Sequence, residues 1–361
     1  MRVDLTLSRR NSYFIVTLLG VIALLSKFLF NGLIYDLDYS LFHPDGTLYT
    51  FRTLRWLGYS QTESAQLVSD WYAQHAGKMT SILPNSLFFE LNPNWNLYKF
   101  RVLYSLLSMP FVYIFGIYGM LVIPALSFLG MLFVLLEIGF ALKRVRLALF
   151  LIFFISISLT VTRWMFINTT DSLFVVLATL STYLLIKWRP SRRIFLLQFT
   201  LVLLMVSTRV AAFYVLPLII MLYFKSKKQA MVLFLLAAVS LVPLFLSNIQ
   251  STIAITNSSG DLNEKILVFV TNSIRLIFIE MGQLIVLDRI LFAIFISGIF
   301  LAFRNLHRDS SRFLLLSVCS TYFMSILNGT IGVNFRFQLT IIGALAWVLL
   351  ENLPAKYQRL N

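Results

Sequence analysis

Acidic residues are scarce in this chain of 361: 15 aspartates and glutamates stand against 30 lysines and arginines, leaving a net charge of +15. Charge of either sign makes up only 12% of the residues, against roughly 25% in an ordinary soluble domain. With 59% hydrophobic residues and a mean hydropathy of +0.83, this shortage excludes an ordinary soluble domain and points to an integral membrane protein. The single cysteine, Cys319, lies within the apolar run 313–327. It excludes a disulfide framework and a thiolate metal cluster, and its expected role is packing. Histidine is nearly absent too, and neither His43 nor His75 has a partner at metal-ligating spacing, so no zinc site is expected. There is no internal repeat and no low-complexity tract. The basic excess falls in short clusters between apolar runs, which excludes nucleic acid as a partner and makes membrane lipids the surroundings.

Each membrane crossing needs about 20 mostly apolar residues. Such runs lie near 13–34, 120–142, 147–166, 171–187, 194–208, 210–224, 230–248, 287–303, 313–327 and 338–353. The expectation is an all-α polytopic protein of about ten transmembrane helices, a single transmembrane domain over residues 1–361. With those spans, 18 of the 30 basic residues fall on one side, in the clusters around Arg9, Arg144, Arg192, Lys227, Arg308 and Arg359. The positive-inside rule makes that side cytoplasmic. Residues 102–118 are also apolar, but a further crossing there would invert every later loop. They are expected to form a re-entrant or interfacial segment broken at Pro110 and Gly116. The first span has no small-residue cleavage site after it and is read as retained.

Eleven of the 15 carboxylates then lie outside, so the working face is external. It is built mainly from a long first loop, 35–101, with shorter loops at 167–170, 249–286 and 328–337. In the long loop, Ser60 and Glu63 fit a capping box, and Ala65, Val68, Trp71, Tyr72 and His75 recur at helical spacing before Gly77. This predicts an amphipathic helix lying on the membrane. A preceding helix over about 46–57 would be capped by Asp45 and closed by Gly58, and residues 84–96 read as an irregular linker. In the second loop, residues 266–286, with Arg275 and Glu280 among aliphatics, predict an interfacial helix.

The stretch YDLDYSLFHPDGTLY, residues 35–49, holds three acids where the first helix leaves the bilayer. Asp36 and Asp38 form an Asp-x-Asp pair that can ligate a divalent cation from an extended backbone. Ordinary solvated acids at a helix exit are the plainer alternative. Asp45 sits in Pro44-Asp45-x-x-x-Tyr49, just beyond the first span and ahead of the two loop helices. This arrangement resembles the GT-C fold of integral membrane glycosyltransferases, a superfamily that includes aminoarabinose and mannosyl transferases using polyprenyl-phosphate sugars. The second acidic position common in the aminoarabinose branch is Gly46 here, a departure from the pattern.

The resemblance implies an inverting glycosyltransferase that takes a sugar from a polyprenyl-phosphate donor and passes it to a glycan, lipid or protein acceptor in cell-envelope glycan biosynthesis. It would sit in a bacterial plasma membrane with its active site on the extracytoplasmic face. Such a transfer needs a base for the acceptor proton and cations for the departing phosphate. Asp45 is the candidate base, with Asp36 or Asp38 second. Arg209 and Arg336, joined by Arg163, are the candidate phosphate ligands, since guanidinium matches phosphate bidentately. Each also fits a snorkelling side chain near a helix end. Arg163 and Asp171 flank the loop 167–170 and can neutralise one another. A divalent cation is an open question and would use Asp36 and Asp38. Glu137 is expected to pair with Lys143 or Arg144, and Lys27 to snorkel. Sequons begin at Asn168, Asn257 and Asn328. A multi-span transporter or lipid flippase is the rival class, and a polymerase or ligase of lipid-linked glycans a third.

Overall fold

The computed structural model describes residues 8–34, 42, 44–75, 101–189, 191–209, 212–239, 262–327 and 338–353. Among these the chain is all-helical, with no strand. In chain order the helices are α1 (Arg9–Ile34), α2 (Pro44–Trp56), α3 (Gln61–His75), α4 (Val102–Phe115), α5 (Val122–Ala141), α6 (Val145–Ile157), α7 (Leu159–Met165) and α8 (Asp171–Ile186). There follow α9 (Arg192–Thr208), α10 (Ala212–Tyr223), α11 (Lys227–Val239), α12 (Leu262–Leu287), α13 (Arg289–Arg304), α14 (Asp309–Leu327) and α15 (Ile342–Asn352). Two 3-10 turns, Gly116–Leu121 and Gln338–Ile341, lead into α5 and α15.

Two helical stretches, Arg9–Leu29 and Val102–Ala141, are long and apolar enough to cross a membrane. A third is added if α6 and α7, bent by 71° at Ser158, count as one span. The other apolar helices are shorter; α8, at 16 residues, spans about 24 Å against a hydrocarbon core of about 30 Å. The stretch Val102–Ala141 is not one straight rod. The Tyr104 hydroxyl donates to the Met120 carbonyl at 2.6 Å, whereas 16 residues of continuous helix would separate them by about 24 Å. A Cβ on Gly119 would lie 2.3 Å from the backbone of Phe111. The chain therefore doubles back at Gly116, where φ is +61° and ψ −153°, a region open essentially to glycine alone. The sequence predicts breaks at both Pro110 and Gly116; α4 runs unbroken through Pro110, and only Gly116 reverses it. The 20 residues of α5 alone keep the length for a crossing.

The centre of the bundle is α8, which packs on α5, α9 and α15. Phe128, Met131, Leu132 and Leu136 of α5 are fully buried, as are Phe174 of α8 and Val348 and Leu350 of α15. The outer surface is strongly apolar: Phe14, Tyr113, Ile114, Leu159, Phe224, Phe278 and Val286 are all more than 60% exposed. Tyr113, Ile114 and Phe115 form the tip of the hairpin at Gly116. Buried hydroxyls such as Thr179 and Thr182 return their hydrogens to carbonyls one turn back, which satisfies them without water.

On the long loop, the capping box is present: the Ser60 amide donates to Glu63 at 2.7 Å and the Glu63 amide to Ser60 Oγ at 3.2 Å. These bonds hold the exposed Glu63 carboxylate below its ordinary range. The apolar stripe of α3 faces protein, with Ala65, Val68 and Tyr72 buried and Trp71 stacked edge-on against Tyr118 at 4.7 Å. The sequence places this stripe on the membrane surface, but the 3-10 turn and Phe42 supply the apolar partner instead. Helix α2 begins at Pro44, so Asp45 stands inside its first turn and not at the N-cap. Proline fits that position because its missing N–H has no intrahelical partner there. The linker 84–96 lies outside the described residues, as do Asn257 and Asn328.

Candidate functional site

Helix α2 is turned by its tyrosine. Tyr49 is 2% exposed, its ring stands edge-on to Tyr104 at 5.3 Å, and its hydroxyl lies 3.3 Å from Thr170 Oγ1 and accepts from Arg101 Nη1 at 3.4 Å. Its carbonyl accepts from Ser105 Oγ and Thr53 Oγ1. These bonds dock the start of α2 on the loop between α7 and α8 and on the head of the hairpin helix α4. One turn before Tyr49, the Asp45 position shares the same helix face. Its side chain is outside the described residues.

The next residue, Gly46, explains the departure noted in the sequence. A Cβ there would lie 2.0 Å from Asn168 Nδ2. Asn168 is fully buried and donates to the Tyr72 hydroxyl at 2.6 Å, so an acidic side chain at position 46 has no room. The same burial removes the sequon at Asn168 from the surface.

The loop 166–170 leads directly into α8, whose first residue is Asp171. Asp171 is 3% exposed; its Oδ2 accepts from Thr169 Oγ1 at 2.7 Å and its Oδ1 from Arg209 Nη1 at 2.5 Å. Arg209, at the end of α9, also lies 5.7 Å over the ring of Tyr214. The predicted partner of Asp171 was Arg163; the structure gives it Arg209. Asp171 sits at the positive end of the α8 dipole, which favours its charged form. The ion pair thus joins the start of α8 to the end of α9, next to the loop on which α2 docks through Gly46 and Tyr49.

Arg163, on α7, is exposed, with its guanidinium 5.4 Å from the Trp164 ring and in electrostatic reach of Lys27 on α1. The structure does not bring it onto Asp171. Asp36, Asp38 and Arg336 lie outside the described residues. Among the described residues no three His, Cys, Asp or Glu side chains gather as a metal site requires.

Two arginines escape the sequence reading. Arg52 is 6% exposed, donates to the Arg101 carbonyl at 3.1 Å and faces Trp56. Burial pushes it down to about 10, with Arg101 adding to the fall and Tyr49 opposing it. Arg101 reaches Tyr49, three residues before Arg52 on α2. The available signal was position: Arg101 immediately precedes the apolar hairpin, and Arg52 is one turn from the tyrosine of the motif.

Three further acids, Asp288, Glu137 and Glu280, are buried or half-buried in the bundle. Asp288 caps α13 through the Leu291 amide at 3.0 Å and accepts from Ser158 Oγ at 2.5 Å and the Thr160 amide at 2.9 Å, clamping the bend between α6 and α7. Glu137 accepts from Arg9 at 2.6 Å and from the hydroxyls of Tyr13 and Tyr183, so its partner is Arg9 and not Lys143 or Arg144. Glu280 is 1% exposed and lies beside the Tyr322 hydroxyl of α14. Desolvation raises its carboxyl to about 7. Compared with family models, with curated proteins and with solved structures, the chain finds no significant match.

Proposed function

We propose that this chain is a membrane glycosyltransferase that moves a sugar from a polyprenyl-phosphate donor to an acceptor on the extracytoplasmic face of a bacterial plasma membrane. The observation that carries the proposal is the docking of the first turn of α2, which holds Asp45, on the loop that leads into the Asp171–Arg209 ion pair. A candidate base and a candidate phosphate ligand, over 160 residues apart in sequence, thereby share one end of the bundle.

Ten crossings with a re-entrant hairpin at α4 fit the same picture. The ion pairs Arg9–Glu137, Arg209–Asp171 and Lys225–Asp309 each join ends that the charge pattern assigns to one side. The exposed apolar tip Tyr113–Phe115 suits hydrocarbon and would be costly in water. It lies at the far end of α4 from Arg101, so a lipid tail bordering the hairpin would carry its phosphate toward Tyr49 and the site.

In this mechanism the acceptor hydroxyl gives its proton to Asp45 as its oxygen attacks the anomeric carbon. The bond from that carbon to the phosphate oxygen breaks with inversion. Negative charge then grows on the phosphate, where preorganised guanidinium groups stabilise it most. One terminal nitrogen of Arg209 is committed to Asp171, which fixes the plane of the guanidinium. A guanidinium carries five donors, enough to serve a carboxylate and a phosphate together. A hydroxyl-lined cavity of about 30 Å³ between α8, α10 and α14, bordered by Ser181, Thr182, Tyr214, Ser317 and Thr321, has room for a few waters. The transporter reading expects repeated halves and ionisable groups near the bilayer midplane, and the sequence shows no such repeat.

Purified protein in vesicles, supplied with radiolabelled polyprenyl-phosphate sugars, separates the two. The enzyme reading expects label on an acceptor and at least a hundredfold loss in Asp45→Asn, in the range general-base removal gives. Label that only crosses the bilayer, or an Asp45→Asn variant of full activity, would falsify it.

A further inference from the structure

At the opposite end of the bundle from Arg209, the last turn of α10 and the first three turns of α14 enclose a cavity of about 360 Å³. Its wall is graded. At one end stand Lys225, Asp309 and Arg312; toward the other the lining is Ile220, Leu316 and Cys319. From Asp309 to Cys319 is ten helical residues, about 15 Å. Lys225 is held by Asp309 at 3.2 Å, and Arg312 donates its Nε–H to the Leu306 carbonyl at 2.9 Å, which orients its guanidinium at the cavity mouth. Phe224, 82% exposed, forms the lip.

We propose that this cavity binds one anionic glycerophospholipid of the bilayer, its phosphate between Lys225 and Arg312 and one acyl chain running along α14 toward Cys319. The inference rests on the membrane reading of the chain and is independent of glycosyl transfer. Charge selects the occupant. Two cations against one carboxylate leave the mouth positive, and the depth profile, charged for the first turn and apolar for the next two, matches a headgroup joined to a hydrocarbon chain. The volume falls within the range of small-molecule sites, about 300–1,000 Å³. The glycosyl donor is not the occupant, because this mouth lies at the far end of α10 from Arg209, and the 12 residues of that helix span about 18 Å. Cys319, for which the sequence predicts a packing role, is exposed on this wall.

The test is native mass spectrometry of the full chain in detergent, titrated with phosphatidylglycerol or with phosphatidylcholine of the same acyl chains. Wild type should bind the anionic lipid more tightly. Arg312→Gln and Lys225→Gln should each weaken it about fivefold, the effect of removing one interfacial cation near an anionic headgroup. Phosphatidylcholine binding should not change. Cys319→Trp should weaken both lipids by filling the chain end while leaving the cations in place. Arg312 is exposed at the surface, so its variant reports on binding even if the tryptophan variant does not fold. Equal affinity of wild type for the two lipids, an anionic-lipid affinity unmoved by Arg312→Gln, or a second copy of the chain seated there in place of lipid would each overturn the proposal.

Discussion

Arg209 and Asp171 hold each other in a setting where neither is more than about a tenth exposed. Removing one partner of such a pair strands the other charge, which costs about 3–5 kcal/mol. Arg209→Ala should therefore lower the thermal midpoint sharply, and Arg209→Gln combined with Asp171→Asn should recover most of that loss. If the arginine also holds phosphate, the double variant regains stability without regaining transfer; recovery of both would assign the pair to structure alone. Glu280 gives a pH test. Between 4.5 and about 7 the folded chain keeps a proton there that the unfolded chain releases, so stability falls as pH rises through that window and stays lower above it. Glu280→Gln should flatten this dependence and stabilise the protein at pH 8 by about 3 kcal/mol, measured by denaturation in detergent at pH 5 and 8. Legibility at this scale was uneven. Tyr49 stood out through its spacing from Asp45, whereas the partner of Asp171 could not be chosen, because Arg163 is near in sequence and Arg209 near only in space. Gly46 looked like a missing acid; the reason is the Asn168 amide, contributed by a loop 122 residues later.

Among the elements, the hairpin at α4 depends most on a single residue. With φ at +61° and ψ at −153°, Gly116 occupies a conformation that any Cβ opposes, so Gly116→Ala should cost roughly 1–3 kcal/mol. Chemical denaturation in detergent checks it; a change under 0.5 kcal/mol would mean that the reversal does not need glycine. Pro110 carries no such requirement, since an apolar helix can absorb the lost bond. Sequence alone treats both residues as breakers and cannot rank them. The capping box at Ser60 and Glu63 was fully legible because it is local, closing over three residues. What α3 covers was not. A 3.6-residue stripe says that a helix has an apolar side, but protein and lipid are equally apolar, and only the position of Tyr118 and Phe42 decides between them.

Among the described residues the bundle buries an apolar core, carries further large apolar side chains on its outer surface and ties buried hydroxyls such as Thr179 and Thr182 to backbone carbonyls. Each of the ten apolar runs marked in the sequence overlaps a helix, while only two or three stretches have the length and apolarity to cross on their own. Run position follows from composition, which a sequence displays; crossing depends on tilt, bends such as that at Ser158 and packing, which it does not. The sidedness proposed here can be tested on a Cys319→Ser background with single cysteines at Asp70, Lys228 and His307, all exposed. An impermeant maleimide applied to intact cells should label position 70 alone, and positions 228 and 307 only after permeabilisation. Labelling in the reverse order would place the site on the cytoplasmic face.

In the proposed mechanism a lipid phosphate is received at Arg209, beside the loop on which α2 docks. Electron cryo-microscopy of the chain bound to a polyprenyl monophosphate tests it most directly. Density for the phosphate against Arg209, beside the first turn of α2 and with the chain descending along the α4 hairpin, is the predicted result. Phosphate density at the Lys225 end of the bundle, or none within hydrogen-bonding reach of Arg209, would contradict it.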